Sequence, residues 1–146
     1  MKIEIVRTHA RQLAFAAAVA LVGACASMPG MTNAETVTMV GTNEVPPVTT
    51  TATGSGTVTI NPDHTVTAKI TVTGMTATAA HIHEAAAGAN GPVIVPFTKT
   101  ADNVFEAPAG AKLTDAQYAS YKAGNLYVNA HSAAHPGGEI RAQLKP

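Results

Sequence analysis

The chain has 146 residues, the length of one domain, and only 12% are charged, about half the share usual in soluble domains. Its nine Lys and Arg balance its nine Asp and Glu, so it lacks the concentrated basic footprint that phosphate recognition needs, and nucleic acid is excluded as a partner. Tryptophan is absent and aromatics are 4%, which argues against a stacking platform for bases or sugars.

The first element is a leader. Lys2, Arg7 and Arg11 precede a twelve-residue apolar run, Leu13 to Ala24. A membrane-spanning helix needs about 20 residues, so this run is too short to cross and fits the apolar core of a secretory signal. Residues 1–24 therefore read as a signal peptide. Leu21-Val22-Gly23-Ala24-Cys25 resembles a bacterial lipobox, which makes Cys25 a lipidation site and holds the protein at a membrane, facing the periplasm or the cell surface. Ala24-Cys25-Ala26 also fits the pattern of simple cleavage and release as a soluble secreted protein. Cys25 is the only cysteine, so no disulfide forms within one chain. Residues 25–36 carry Pro29, Gly30 and Asn33 without periodicity and read as a lipidated tether; residues 37–146 form the domain.

Strand patterns then dominate. Candidates in chain order are Thr36–Thr42, Thr57–Ile60, Thr65–Thr73, Thr78–His83, Val93–Phe97, Asn103–Ala107, Asn125–His131 and Glu139–Leu144. The clearest is Thr65–Thr73, where Val66, Ala68, Ile70 and Val72 share one face and polar residues the other, the period of a half-buried strand. Asn61-Pro62-Asp63-His64 is turn chemistry and predicts a hairpin, with His64 on the surface. Seven or eight short strands punctuated by Gly and Pro predict an all-β fold, a Greek-key or immunoglobulin-like β sandwich. One short crossover helix interrupts them near residues 114–123: Thr114 and Gln117 form a capping box, and Gly124 is placed to end it. Tyr118 and Tyr121 are expected to pack on the core.

Five histidines follow the leader: His64, His81, His83, His131 and His135. On a strand His81 and His83 share a face, with Ala80 and Ile82 turned to the core. Leu126, Val128 and Ala130 likewise leave Tyr127, Asn129 and His131 on the opposite side. If the two strands are neighbours, His81, His83 and His131 converge on an outer face and can hold a metal ion. Imidazole suits copper or zinc. His135, in the following turn, is a candidate fourth ligand. Glu84 and Glu139 are candidate acceptors for ring N–H groups, and Arg141 shares the polar side of the last strand. No serine has the context of an activated nucleophile.

Four ordered blocks resemble CHRD domains, the repeats of the extracellular growth-factor antagonist chordin. They are Gly41 to Val48 (GTNEVPPV), Ala80 to His83 with Gly88 to Val93 (AHIH and GANGPV), Ala123 to His131 (AGNLYVNAH) and Pro136 to Leu144 (PGGEIRAQL). The resemblance covers roughly residues 37–145 and implies a secreted β domain. Ala142 stands where the family often has Gly. A second likeness is to copper/zinc superoxide dismutases, sandwiches with a strand-borne His-x-His and a later histidine on copper. This chain lacks their zinc loop and disulfide. Three functions follow as expectations: an envelope lipoprotein that binds copper or zinc, a metal-free module for an envelope protein partner, and a copper enzyme resembling the dismutases. The first is preferred, with no catalytic residue assigned.

Overall fold

A computed structural model describes residues 34–146; the signal peptide, Cys25 and most of the expected tether lie outside the described residues. Nine strands alternate with short connections: β1 (Ala34–Val40), β2 (Thr53–Ile60), β3 (Val66–Thr73), β4 (Ala77–Glu84), β5 (Val93–Pro96), β6 (Thr98–Ala101), β7 (Val104–Glu106), β8 (Leu126–Ser132) and β9 (Ile140–Gln143). A 3-10 turn (Gly41–Asn43) follows β1, and the helix α1 (Asp115–Lys122) precedes β8. The fold is all-β with one short helix, as the alternation of the sequence predicts.

The strands are antiparallel and ordered β5-β4-β8-β9-β1-β2-β3-β7-β6. This sheet is folded over and nearly closed into a barrel-like sandwich. At one seam β1 and β9 meet through a single pair, Val40 and Arg141. At the other, β5 and β6 are separated only by Phe97, whose N–H donates to Ala80 O at 3.0 Å. Strand β6 is one more than the patterns suggest. Its residues, Thr98-Lys99-Thr100-Ala101, are all exposed, so it has no apolar face to betray it.

The hairpin β2–β3 pairs from Ile60 with Val66 to Thr53 with Thr73. Val66, Ile70 and Val72 are buried between exposed neighbours. They meet Val37, Met39, Ala80, Ile82, Phe105, Leu126, Val128, Ala130, Ile140 and Leu144 in one core. Full burial of the Val, Leu, Ile, Phe and Met side chains among them contributes about 1.5–3 kcal/mol each. Helix α1 begins at the expected box: Gln117 N donates to Thr114 Oγ1 at 3.2 Å, and Thr114 N donates to Gln117 Oε1 at 2.9 Å. It ends where Gly124, at φ +74°, donates to Tyr121 O while Asn125 N donates to Ser120 O, the paired bonds of a Schellman cap. Tyr121 is buried and Tyr118 packs against the core. His64 is less exposed than its turn suggests. It adopts φ +70° and stacks on Tyr118 with 4.3 Å between ring centroids.

One expectation is corrected. The side of β4, β8 and β9 turned away from the apolar core was expected to be an outer, wet face. All seven residues of β8 are buried, His131 and Asn129 among them. The cause is tertiary. Residues 44–48 cross this face and are fastened to it by Glu44, Asn90 and Arg141. Arg141 Nε donates to Glu44 Oε2 at 3.0 Å and Nη1 to Ala89 O at 2.9 Å, while Nη2 donates to Asn90 Oδ1. Asn90 Nδ2 in turn donates to Val45 O at 2.7 Å. The sandwich therefore has a second, polar interior on the far side of one of its sheets.

Candidate metal centre

The site is built on the β4–β8 ladder. Its register sets His81 opposite Asn129, His83 opposite Tyr127 and Ala79 opposite His131. Side chains two apart share a face, so the alternation that sends Ala80 and Ile82 into the core sends His81 and His83 toward His131. One ring nitrogen from each of the three histidines lies within 4.8 Å of the others. His83 and His131 are buried, and His81 is half-buried at the rim.

Backbone carbonyls set the proton on two of the rings. His83 Nδ1 lies 2.9 Å from Gly91 O, and His131 Nδ1 lies 3.0 Å from Pro136 O. A carbonyl oxygen only accepts, so each Nδ1 carries its ring's proton and each Nε2 presents a lone pair. Gly91 is needed for this approach, because a Cβ there would fall 1.8 Å from Glu84 O. His81 Nδ1 lies 3.0 Å from His131 Nε2. A proton between those two atoms satisfies that pair but leaves His83 Nε2 buried without a partner. Unpaired buried polar atoms are costly. A cation accepts all three lone pairs at once.

Burial favours the neutral form of His81 and His83, the form a metal requires. It lowers the pKa of His81 to about 4, helped by the neighbouring rings of His131 and His83. Burial also lowers that of His83, against the pull of the Gly91 carbonyl and of the Asn129 side chain. Metal–nitrogen bonds of about 2.0–2.1 Å in a tetrahedral site place ligand nitrogens about 3.4 Å apart; His81 and His131 are already 3.0 Å apart, and the wider spacing in the set, up to 4.8 Å, would close on binding.

The remaining expected residues fall elsewhere. His135 is not in the cluster: its N–H donates to Ser132 Oγ at 3.1 Å, and it lines a shallow cavity beside Pro46. Glu84 has the opposite strand parity from His83, so it leaves the site and accepts from Ser120 Oγ on α1. Glu139 is taken by hydroxyls, Thr50 Oγ1 at 2.7 Å and Ser132 Oγ. The ring N–H groups that these carboxylates were expected to bind go to Gly91 O and Pro136 O instead. Arg141 pairs with Glu44 and lies with its guanidinium carbon 3.7 Å from the Tyr127 ring centroid. Tyr127 stacks on His83, 4.8 Å between centroids and 7° between planes. Tyr127 and Asn129 escape a site search by sequence because neither is a usual metal ligand; their parity with His131 is the one signal that places them here.

The CHRD domain family matches the chain over residues 36–144. No curated protein and no solved structure matches it.

Proposed function

The chain belongs to the CHRD domain family, and from that premise we propose that it is an exported module that holds a copper or zinc ion through His81, His83 and His131. The observation that carries this reading is the convergence of three imidazoles, two with their protons committed to backbone carbonyls and one with a buried nitrogen left without a well-formed hydrogen bond among the described residues. Imidazoles gathered in one cluster and largely withdrawn from solvent suit these ions. His81 at the rim offers the way in. Such a protein would bind or buffer metal outside the cytosol. Cys25, behind a leader with a lipobox-like end, would fix it to a membrane as an envelope lipoprotein.

Calorimetric titration of metal-free protein with Zn²⁺ and with Cu²⁺ tests the site. Binding in the wild type that is lost in a His81→Ala/His83→Ala variant supports it; equal binding by both proteins refutes it. Fractionation of cells carrying Cys25→Ser tests the anchor, which requires the variant to leave the membrane fraction.

A further inference from the structure

Asn129 stands at the centre of the polar interior, 1% exposed, between Tyr127 and His131 on the same face of β8. Its Oδ1 lies 3.0 Å from His131 Nε2. The proton of His131 is on Nδ1, facing Pro136 O, so this contact sets one lone pair against another. Turning the amide over would cure it locally, by presenting Nδ2 to the imidazole.

The other end of the amide opposes that turn. Among the described residues Asn129 Nδ2 has no partner, and neither does Glu44 Oε1, although both are buried. They face one small space above Gly138: a Cβ on that glycine would lie 2.6 Å from Glu44 Oε1 and 2.7 Å from Asn129 Nδ2. A carboxylate oxygen accepts only, so the amide edge turned toward it must be the N–H₂ edge. Glu44 therefore keeps Oδ1 directed at the imidazoles.

We infer that Asn129 Oδ1 is a fourth protein ligand, completing a set of three imidazole nitrogens and one amide oxygen around the ion. This rests on the metal-binding reading above. A cation between His131 Nε2 and Oδ1 converts their repulsion into shared coordination, and bond lengths of about 2.0–2.2 Å call for a separation near the one observed. Two consequences follow. An amide oxygen is a harder donor than imidazole, so the set favours Zn²⁺ or Cu²⁺ over Cu⁺. Four protein ligands also close the site to water, the arrangement of a metal that is held and does not turn over substrate.

The test is electron paramagnetic resonance of the whole chain loaded with Cu²⁺ in water enriched in the magnetic oxygen isotope, alongside calorimetry with Zn²⁺. Wild type is expected to show no isotope broadening. Asn129→Leu is expected to admit water, broadening the line, and to bind Zn²⁺ about 10- to 100-fold more weakly. Asn129→Asp, which restores an oxygen donor, is expected to stay unbroadened. A broadened wild-type line overturns the assignment while leaving the three-histidine site standing. So does a folded Asn129→Leu with unchanged affinity and an unbroadened line. If Asn129→Leu does not fold, the wild-type and Asn129→Asp spectra decide. A wild type that takes up neither ion overturns both readings.

Discussion

The guanidinium of Arg141 lies against the ring of Tyr127, 3.7 Å from guanidinium carbon to centroid, and the same ring stacks on His83 from the neighbouring strand. A residue of β9 thereby bears on a residue of β4 through an aromatic layer on β8. The charge on this column is matched by Glu44, which reaches it from 97 residues away in the chain. Both members of the ion pair are 3% exposed at the side chain.

A pair this deeply buried is damaging to break and easier to replace. Glu44→Leu alone leaves the guanidinium charge uncompensated and should cost about 3–5 kcal/mol in urea denaturation. Glu44→Leu/Arg141→Met removes both charges and should recover a large part of that loss. Equal stability of the single and double variants would show that the charge is not the cause.

The imidazoles make the metal-free protein sensitive to acid. Burial lowers the pKa of His81 from 6.5 to about 4 and moves that of His83 in the same direction. Below pH 6.5 the unfolded chain takes up protons that the folded one resists, so this stability is fully present above pH 6.5 and is lost progressively toward pH 4. Urea midpoints should fall across that window. His81→Gln should flatten the fall; an unaltered slope in that variant would place the acid sensitivity elsewhere.

An ion bound only by the folded state raises stability by mass action, about 2.7 kcal/mol at a free concentration one hundred times Kd. Melting curves with and without Zn²⁺ should show this in wild type and not in His83→Ala. His135→Ala should respond like wild type, because its ring is not part of the cluster. A lost response in His135→Ala would return that histidine to the site.

Gly138 adopts φ +132° with Glu44 and Asn129 at its missing side chain. Gly138→Ala places a methyl group on both polar atoms in a backbone conformation that L residues avoid. It should destabilise by more than the roughly 1 kcal/mol of conformational strain alone and weaken Zn²⁺ binding by displacing Asn129. A variant with wild-type melting and affinity would show that the space above Gly138 is slack.

Local pattern revealed much of this molecule. Val66, Ile70 and Val72 announce β3 by alternation, Thr114 and Gln117 announce the start of α1, and His81 and His83 declare a shared face by their spacing. The likeness in the four motif blocks agrees with the family to which the chain belongs. Burial of the second face was not legible, because it depends on which loop covers a strand. Asn129 and His131 read as the wet side of a half-buried strand, and nothing near them announces Glu44 and Val45 folding across. For the same reason Glu84 and Glu139 were plausible partners for ring nitrogens until each was found serving a distant hydroxyl. β6 escaped because Thr98 to Ala101 have no apolar side to count.

The backbone N–H of Lys145 binds the carboxylate of Glu35, and Leu144 N donates to Leu126 O, so the first and last described strands finish side by side at the Leu126 end of β8. His131 stands five strand steps farther along, about 17 Å away at the rise of a β-strand. His83, opposite Tyr127, is only one step from that end, so the imidazole cluster runs along the flank of β8 and is not confined to its far tip.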